Sequence, residues 1–173
     1  MDIEIPAGAL VLLIGPSGSG KSTFASRHFR PTQVISSDAC RALVSDDENN
    51  MDATAAAFRI LHAIVRERLR RGRLAVVDAT NLRADKRARL LKFAREHGRP
   101  AVAIFFDLPD AVYMERNRLR PDRSIPESAV RGQLSLKRKA AIALAGEGFE
   151  RVFRLESPEA IDAASVVLSQ SGS

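Results

Sequence analysis

Leu10-Val11-Leu12-Leu13-Ile14-Gly15-Pro16-Ser17-Gly18-Ser19-Gly20-Lys21-Ser22 is the stretch that decides the fold of this 173-residue chain. Five aliphatic residues in a row read as a strand buried on both faces, the habit of a parallel sheet. The turn after it satisfies G-x-x-x-x-G-K-[ST], and a helical pattern starts at about Lys21. Glycines there allow backbone geometry and close approach that a β-carbon forbids, so successive N–H groups can converge on phosphate oxygens. The helix adds its positive end. In such a cradle Lys21 reaches the β- and γ-phosphates as a movable point charge, and Ser22 supplies a hydroxyl to Mg²⁺. Gly15, Pro16, Ser17, Gly18, Ser19, Gly20, Lys21, Ser22 and Thr23 are therefore the expected nucleotide contacts, with ATP or another nucleoside triphosphate as ligand.

Working outward, short apolar runs alternate with helical patterns, the signature of βαβ units. The expected strands are Leu10–Ile14, Gln33–Ser37 ending at Asp38, Leu74–Val77 ending at Asp78, Ala101–Phe106 and Phe149–Leu155. The expected helices begin near Lys21 and run over Ala53–Arg71 and Ala84–His97. Two more flank Pro121, from Pro109 to about Leu119 and from Pro126 to about Leu144, and a last one opens at Ser157-Pro158-Glu159. The predicted fold class is α/β: a P-loop kinase fold with a parallel five-stranded sheet flanked by helices and a helical, arginine-bearing lid over about 109–144. Residues 1–169 make one domain and residues 170–173 a frayed tail or the start of a linker.

Hydrophobic residues are 45% and charged residues 28% of the chain, so a packed core is available and disorder is not expected. A lone cysteine, Cys40, excludes an internal disulfide framework and fits a reducing compartment. Asp2 and Glu4 precede a six-residue apolar run, Ala9–Ile14, which offers neither a signal peptide nor a membrane span. A cytoplasmic protein with no membrane partner is the expectation; an oligomer is left open. The net charge is +6, carried by 22 Arg and 5 Lys against 21 acidic residues. That excess reads either as base composition on a solvated surface or as a phosphate-rich partner.

In open parallel sheets the carboxyl ends of the strands meet at one crevice. The cradle, Asp38 and Asp78 should share it. A carboxylate at Asp38 can accept the proton of an attacking hydroxyl; it could also cap a helix over Ala39–Val44. Arg41 follows three residues later. Asp78 reads as a metal-side carboxylate or as the support of Thr80, Asn81 or Arg41. Ser22, with Asp38 or Asp78 acting through water, is the expected metal side. Arg116, Arg118, Arg120 and Arg123 cluster around Pro121, and Arg116 and Arg120 share a helix face. Arginines on a closing lid neutralise charge on a transferring phosphoryl group. The denser run Arg66, Arg68, Arg70, Arg71 and Arg73 reads as a solvated face. No Asn-Lys-x-Asp guanine reader is present, which sets GTPase switches aside.

With these residues in place, the sequence resembles the kinase domain of bacterial polynucleotide kinase–phosphatase. The likeness runs through Gly15–Ala25, Val34–Arg41, Val44–Asn49 and Val76–Asn81, with Glu115-Arg116-Asn117, Arg120 and Asp122-Arg123 matching the lid. It implies transfer of the γ-phosphate of ATP, with Mg²⁺, to the 5′-OH end of RNA or DNA in end healing. Asp38 would be the general base, and Arg41 would hold the phosphate 3′ of the terminal nucleoside. Lys21, Ser22, Arg116 and Arg120 would serve the triphosphate, and Arg123 would support the lid. The resemblance also implies phosphatase and ligase modules further along a longer polypeptide. A kinase of a small metabolite or another macromolecule, or a nucleotide-binding module without turnover, is the alternative. Cys40 reads as a small buried thiol, His28, His62 and His97 as no metal site, Ser45–Asn50 as a loop, and Tyr113 with the eight Phe as no stacking platform.

Overall fold

A computed structural model describes residues 1–121 and 125–170. The elements in chain order are β1 (Asp2–Ile5), β2 (Leu10–Ile14), α1 (Lys21–His28), β3 (Val34–Ser36), α2 (Ser37–Ser45) and α3 (Thr54–Arg70). They continue as β4 (Ala75–Asp78), α4 (Ala84–Glu96), β5 (Ala101–Phe106), α5 (Asp110–Leu119), α6 (Glu127–Ala143), β6 (Arg151–Leu155), α7 (Pro158–Ala163) and β7 (Ser165–Leu168). Five strands form one parallel sheet in the order β3-β4-β2-β5-β6. The expected five-stranded parallel sheet is thus present, with β2 at its centre.

The continuous aliphatic run of β2 is explained by helices on both faces. Leu10, Leu12 and Ile14 pack with Leu61, Val65 and Leu69 of α3 and Leu90, Leu91 and Phe93 of α4. Val11 and Leu13 point the other way, toward Phe24 of α1 and Tyr113 of α5. All five β2 residues are fully buried. Because β2 connects through α1 to β3 on one side while β5 lies on the other, strand order reverses at β2, and the crevice falls at its carboxyl end.

Three features depart from the sequence reading. The chain has a second sheet, β1 paired in parallel with β7. β1 alternates exposed and buried positions, with only Ile3 and Ile5 facing the core, too weak a signal in four residues. Its partner β7 lies directly after the last helix, where no turn residue announces a strand. The second departure concerns the strand expected to end at Asp38. It stops at Ser36, whose hydroxyl accepts the Ala39 N–H at 3.2 Å and so caps α2. Asp38 therefore belongs to the first turn of that helix, and the cap is Ser36. The expected strand over Phe149–Leu155 begins only at Arg151.

Candidate functional site

The turn after β2 is built by local constraint. A β-carbon on Gly15 would lie 3.0 Å from both Phe106 Cβ and Ser19 Oγ, and the Gly15 N–H donates to Thr80 O at 3.0 Å. Gly20 immediately precedes α1 with φ +93°, a left-handed conformation that L side chains resist. Lys21 opens α1 and is buried; its Nζ donates to Gly15 O (2.8 Å), Pro16 O (2.9 Å) and Ser19 Oγ (3.1 Å). The ammonium is thus tethered over the loop it follows.

Ser22 Oγ donates to Asp78 Oδ2 at 2.7 Å, so the Asp78 carboxylate is turned toward the cradle. Asp78 ends the fully buried β4. Burial pushes its carboxyl above the usual range and nearby Asp38 adds to this, while the Ser22 hydroxyl and Lys21 pull the other way. Asn81 follows Asp78 three residues later at φ +50°. Its amide donates to Leu13 O (2.8 Å), Val77 O and Ala79 O (both 3.3 Å), stitching the ends of β2 and β4 together.

A prediction follows from the sign of that shift. Folding disfavours ionised Asp78, so the wild type bears a cost above the raised pKa that fades as pH falls toward the 3.8 of a free carboxyl. Asp78→Asn, which keeps an acceptor for Ser22, should melt higher than wild type at neutral pH. The gap should close in acid. Melting temperatures measured from pH 3 to 8 check this; a gap that widens on acidification contradicts it.

On the other side of the crevice, the first turn of α2 presents Asp38, whose Oδ1 accepts from Arg41 Nη1. The Arg41 side chain is 9% exposed and that of Asp38 30%, so the cation is sunk and the carboxylate faces the opening. Arg41 Nε donates to Thr54 Oγ1 (3.3 Å), bracing the guanidinium against the start of α3. The loop expected from Ser45 begins after it, since Ser45 ends α2, and two of its acceptors are used locally: Asp47 Oδ1 takes the Asn49 N–H and Asn50 Oδ1 the Asp52 N–H. Cys40 is buried, which raises its thiol pKa.

Above the cradle sit α5 and α6. Arg116 Nη1 donates to Gly18 O at 2.9 Å, and Arg120 lines the crevice. Arg123 lies outside the described residues. Three further residues had no role assigned from the sequence. Gln133 of α6 accepts the Ser17 N–H at 2.8 Å, a lid-to-cradle contact spanning 116 residues. Asn117 closes the break between the helices with two hydrogen bonds to the Ile125 backbone, 2.8 and 3.0 Å. Lys137 is buried with Nζ on Leu108 O (2.6 Å) and Asp110 (2.9 Å), pinning α6 to the end of β5. Lys137 carried a readable signal, because it continues the stripe Val130–Leu134 at the next inward position. Gln133 carried none, and Asn117 entered only through the Glu115-Arg116-Asn117 match to the lid.

One cleft of about 630 Å³ takes in Lys21, Ser22, Asp38, Arg41, Asp78 and Arg120. A second of about 340 Å³ lies between Gly18, Gly20 and Thr23 and the Arg116–Arg120 face. Mg²⁺ suits the Ser22–Asp78 pair, both hard oxygen donors within one hydrogen bond of each other. Among the described residues no three His, Cys, Asp or Glu side chains cluster into a metal cage. Mg²⁺ habitually relies on one or two protein oxygens, water and phosphate.

A five-stranded parallel sheet, a phosphate cradle and an acid across the crevice define a kinase-like P-loop protein. The chain belongs to the AAA domain family, whose model matches residues 10–140. It is 30% identical over 168 residues to the transcription factor bHLH140 of Arabidopsis thaliana, covering 90% of this chain and only 17% of that protein's length. Its fold is similar to the APS kinase CysC of Mycobacterium tuberculosis, solved with AMPPNP and APS (TM-score 0.55, 23% identity, 91% of this chain and 93% of that one). It is similar too to a chain of the Pnkp1/Rnl/Hen1 complex (TM-score 0.55, 23% identity, 70% of this chain and 44% of that one). At such identities the likeness is one of fold. No helix among the described residues is long and apolar enough to cross a membrane.

Proposed function

We propose that this chain is an ATP-dependent kinase of 5′-OH polynucleotide ends. The observation that carries the reading is the Asp38–Arg41 pair, which opens into the same cleft as Lys21 and the Ser22–Asp78 pair. An acceptor entering there meets a carboxylate for its hydroxyl and, one helical turn away, a guanidinium for an anion. A nucleotide end offers both groups at short range, a 5′-OH and the phosphate on its 3′ side.

Asp38 accepts the proton of the 5′-oxygen as that oxygen bonds to the γ-phosphorus and the β,γ-bridging bond breaks, leaving ADP and a 5′-phosphate end. The cradle N–H groups and Lys21 hold the triphosphate, and Arg116 and Arg120 face the charge that builds on it. Mg²⁺ at Ser22 and Asp78, when bound, screens the phosphate oxygens. Other nucleoside triphosphates fit the same cradle, since its contacts are to phosphates. Further end-processing modules on a longer polypeptide and a cytoplasmic setting belong to the same reading.

The test is incubation with labelled ATP, Mg²⁺, paired 5′-OH RNA and DNA oligonucleotides, a nucleoside 3′-phosphate and the bare nucleoside. Transfer to the oligonucleotides and the 3′-phosphate, with the bare nucleoside inert, is the expected pattern. No transfer to any 5′-OH end overturns the reading. Arg41→Ala should raise the acceptor KM by about 10- to 100-fold, the worth of one charged hydrogen bond, with the ATP KM little changed. Equal rises in both would place Arg41 elsewhere.

A further inference from the structure

The positive charge of the chain is not spread over its surface. α3 carries four arginines and one glutamate, and α4 five cations and two acids; with Arg87 buried and paired to Glu147, the two helices present a net +5. The whole chain carries +6. The two helices pack side by side on one face of the sheet, and both lead away from the mouth of the larger cleft, where Phe58 of α3 and Lys86 of α4 stand.

The seam between them has a definite make-up. Its floor is a row of rings, with Phe58 to His62 at 6.0 Å between centroids and His62 to Phe93 at 5.5 Å. Arg66 lies over Phe93 at 5.2 Å. Lys86, Arg89 and Arg66 are exposed and all bear on His62, whose pKa burial and these cations lower. The acids of the two helices are engaged elsewhere: Glu67 with Arg70 and Arg71, Asp85 with Arg83, and Glu96 with Lys92. Among the described residues no carboxylate oxygen lies within ion-pair distance of the Arg89, Arg66 or Lys86 side chain, although Asp85 feels the charge of neighbouring Lys86. Three exposed cations along a seam that begins at the acceptor mouth, with partly buried rings beneath them, are the parts of a single-strand binding groove.

We propose that the α3–α4 seam binds the single-stranded nucleic acid that continues 3′ of the accepting nucleotide, with Lys86, Arg89 and Arg66 as its phosphate ligands. This rests on the kinase reading above. The seam from Phe58 to Arg66 spans roughly 12 Å at about 1.5 Å per helical residue. The contacts are to the phosphate backbone, so the groove takes RNA and DNA alike and does not read sequence.

The experiment measures binding directly, by anisotropy of a 3′-fluorescein 5′-OH decanucleotide, as RNA and as DNA, over a series of salt concentrations. It compares wild type with Lys86→Gln/Arg89→Gln/Arg66→Gln and with a charge-matched control, Arg27→Gln/Arg70→Gln/Arg151→Gln. The seam variant should bind at least tenfold more weakly. The slope of log K against log salt should become shallower by about 2, since each single-strand phosphate contact contributes about 0.7. The control should stay within threefold of wild type. Equal losses in both variants, or no loss in the seam variant, overturn the proposal whatever the chain's activity. Transfer kinetics then separate the two readings. A seam variant that keeps its KM for a nucleoside 3′-phosphate but loses it for the decanucleotide supports the groove. Wild-type KM values that do not fall with acceptor length refute the groove while leaving the kinase intact, and absent transfer alone refutes the kinase.

Discussion

Asp38→Asn is expected to lower kcat for transfer to a 5′-OH end by about a thousandfold, within the 10²–10⁴ range of positioned general bases. The substitution is chosen for what it preserves. An asparagine in the first turn of α2 keeps an oxygen for Arg41 Nη1, so the buried guanidinium retains an acceptor and stays braced on Thr54. The helix loses one favourable charge near its N-terminus, worth roughly 0.3–1 kcal/mol, a small change in melting temperature. The ATP KM should hold, because the hydrogen bonds of Lys21 to Gly15, Pro16 and Ser19 and of Ser22 to Asp78 keep their partners in the variant. Alanine would be a poorer probe, since it strips a sunk cation of its carboxylate and confounds chemistry with packing. Single-turnover rates with saturating ATP decide the matter. A variant within tenfold of wild type removes Asp38 from the role of base.

The sheet and cradle were legible because their causes are local. An unbroken aliphatic run and a fixed glycine spacing leave one reading, and the sheet order then brings Asp38 and Asp78 to the crevice where the topology requires. What was not legible is set by partners far apart in sequence. The Ser22–Asp78 bond joins residues 56 apart, and Gln133 meets Ser17 across 116 residues. No periodicity encodes either. Asn117 looks like any polar residue near a helix end until Ile125 closes against it. The β1–β7 sheet fails for a related reason: each four-residue strand is meaningful only beside the other, at opposite ends of the described chain. Charge is the clearest instance of position outweighing composition. The arginine excess read either as a solvated surface or as a match to a phosphate-rich partner, and the run Arg66 to Arg73 as a solvated face; the packing of α3 against α4 gathers Arg66, Arg89 and Lys86 around one seam, while Arg70 and Arg71 of the same run are occupied by Glu67.

The largest expected loss of stability comes from a pair that sequence reasoning passed over. Arg87 of α4 is 1% exposed and makes a two-pronged contact with Glu147, at 2.7 and 2.6 Å, while its Nη1 donates to Asn81 O (3.0 Å) and Leu82 O (2.7 Å). One guanidinium thus joins the turn after α6 to the loop that follows β4 and lines the cleft. Glu147→Ala leaves that cation buried with two donors unanswered, a change that costs about 3–5 kcal/mol in buried pairs. Glu147 keeps 18% exposure, so water can partly replace it and the lower end, about 3 kcal/mol, applies. At about 2–4 °C per kcal/mol for a domain of this size, the melting temperature should fall by about 6–12 °C. Removing both charges separates the cost of an orphaned cation from the worth of the pair. Arg87→Met/Glu147→Leu should recover more than half of the loss, because apolar groups of similar volume leave no charge behind. It should not recover activity in step, since Asn81 O and Leu82 O lose their shared donor and the cleft wall is held less firmly. Thermal melts of both variants, with KM and kcat measured on the double, test each half. A single variant melting within 2 °C of wild type would show that the Arg87 charge is hydrated, and a double variant less stable than the single would show that the pair itself, and not the orphaned cation, supplies the stability.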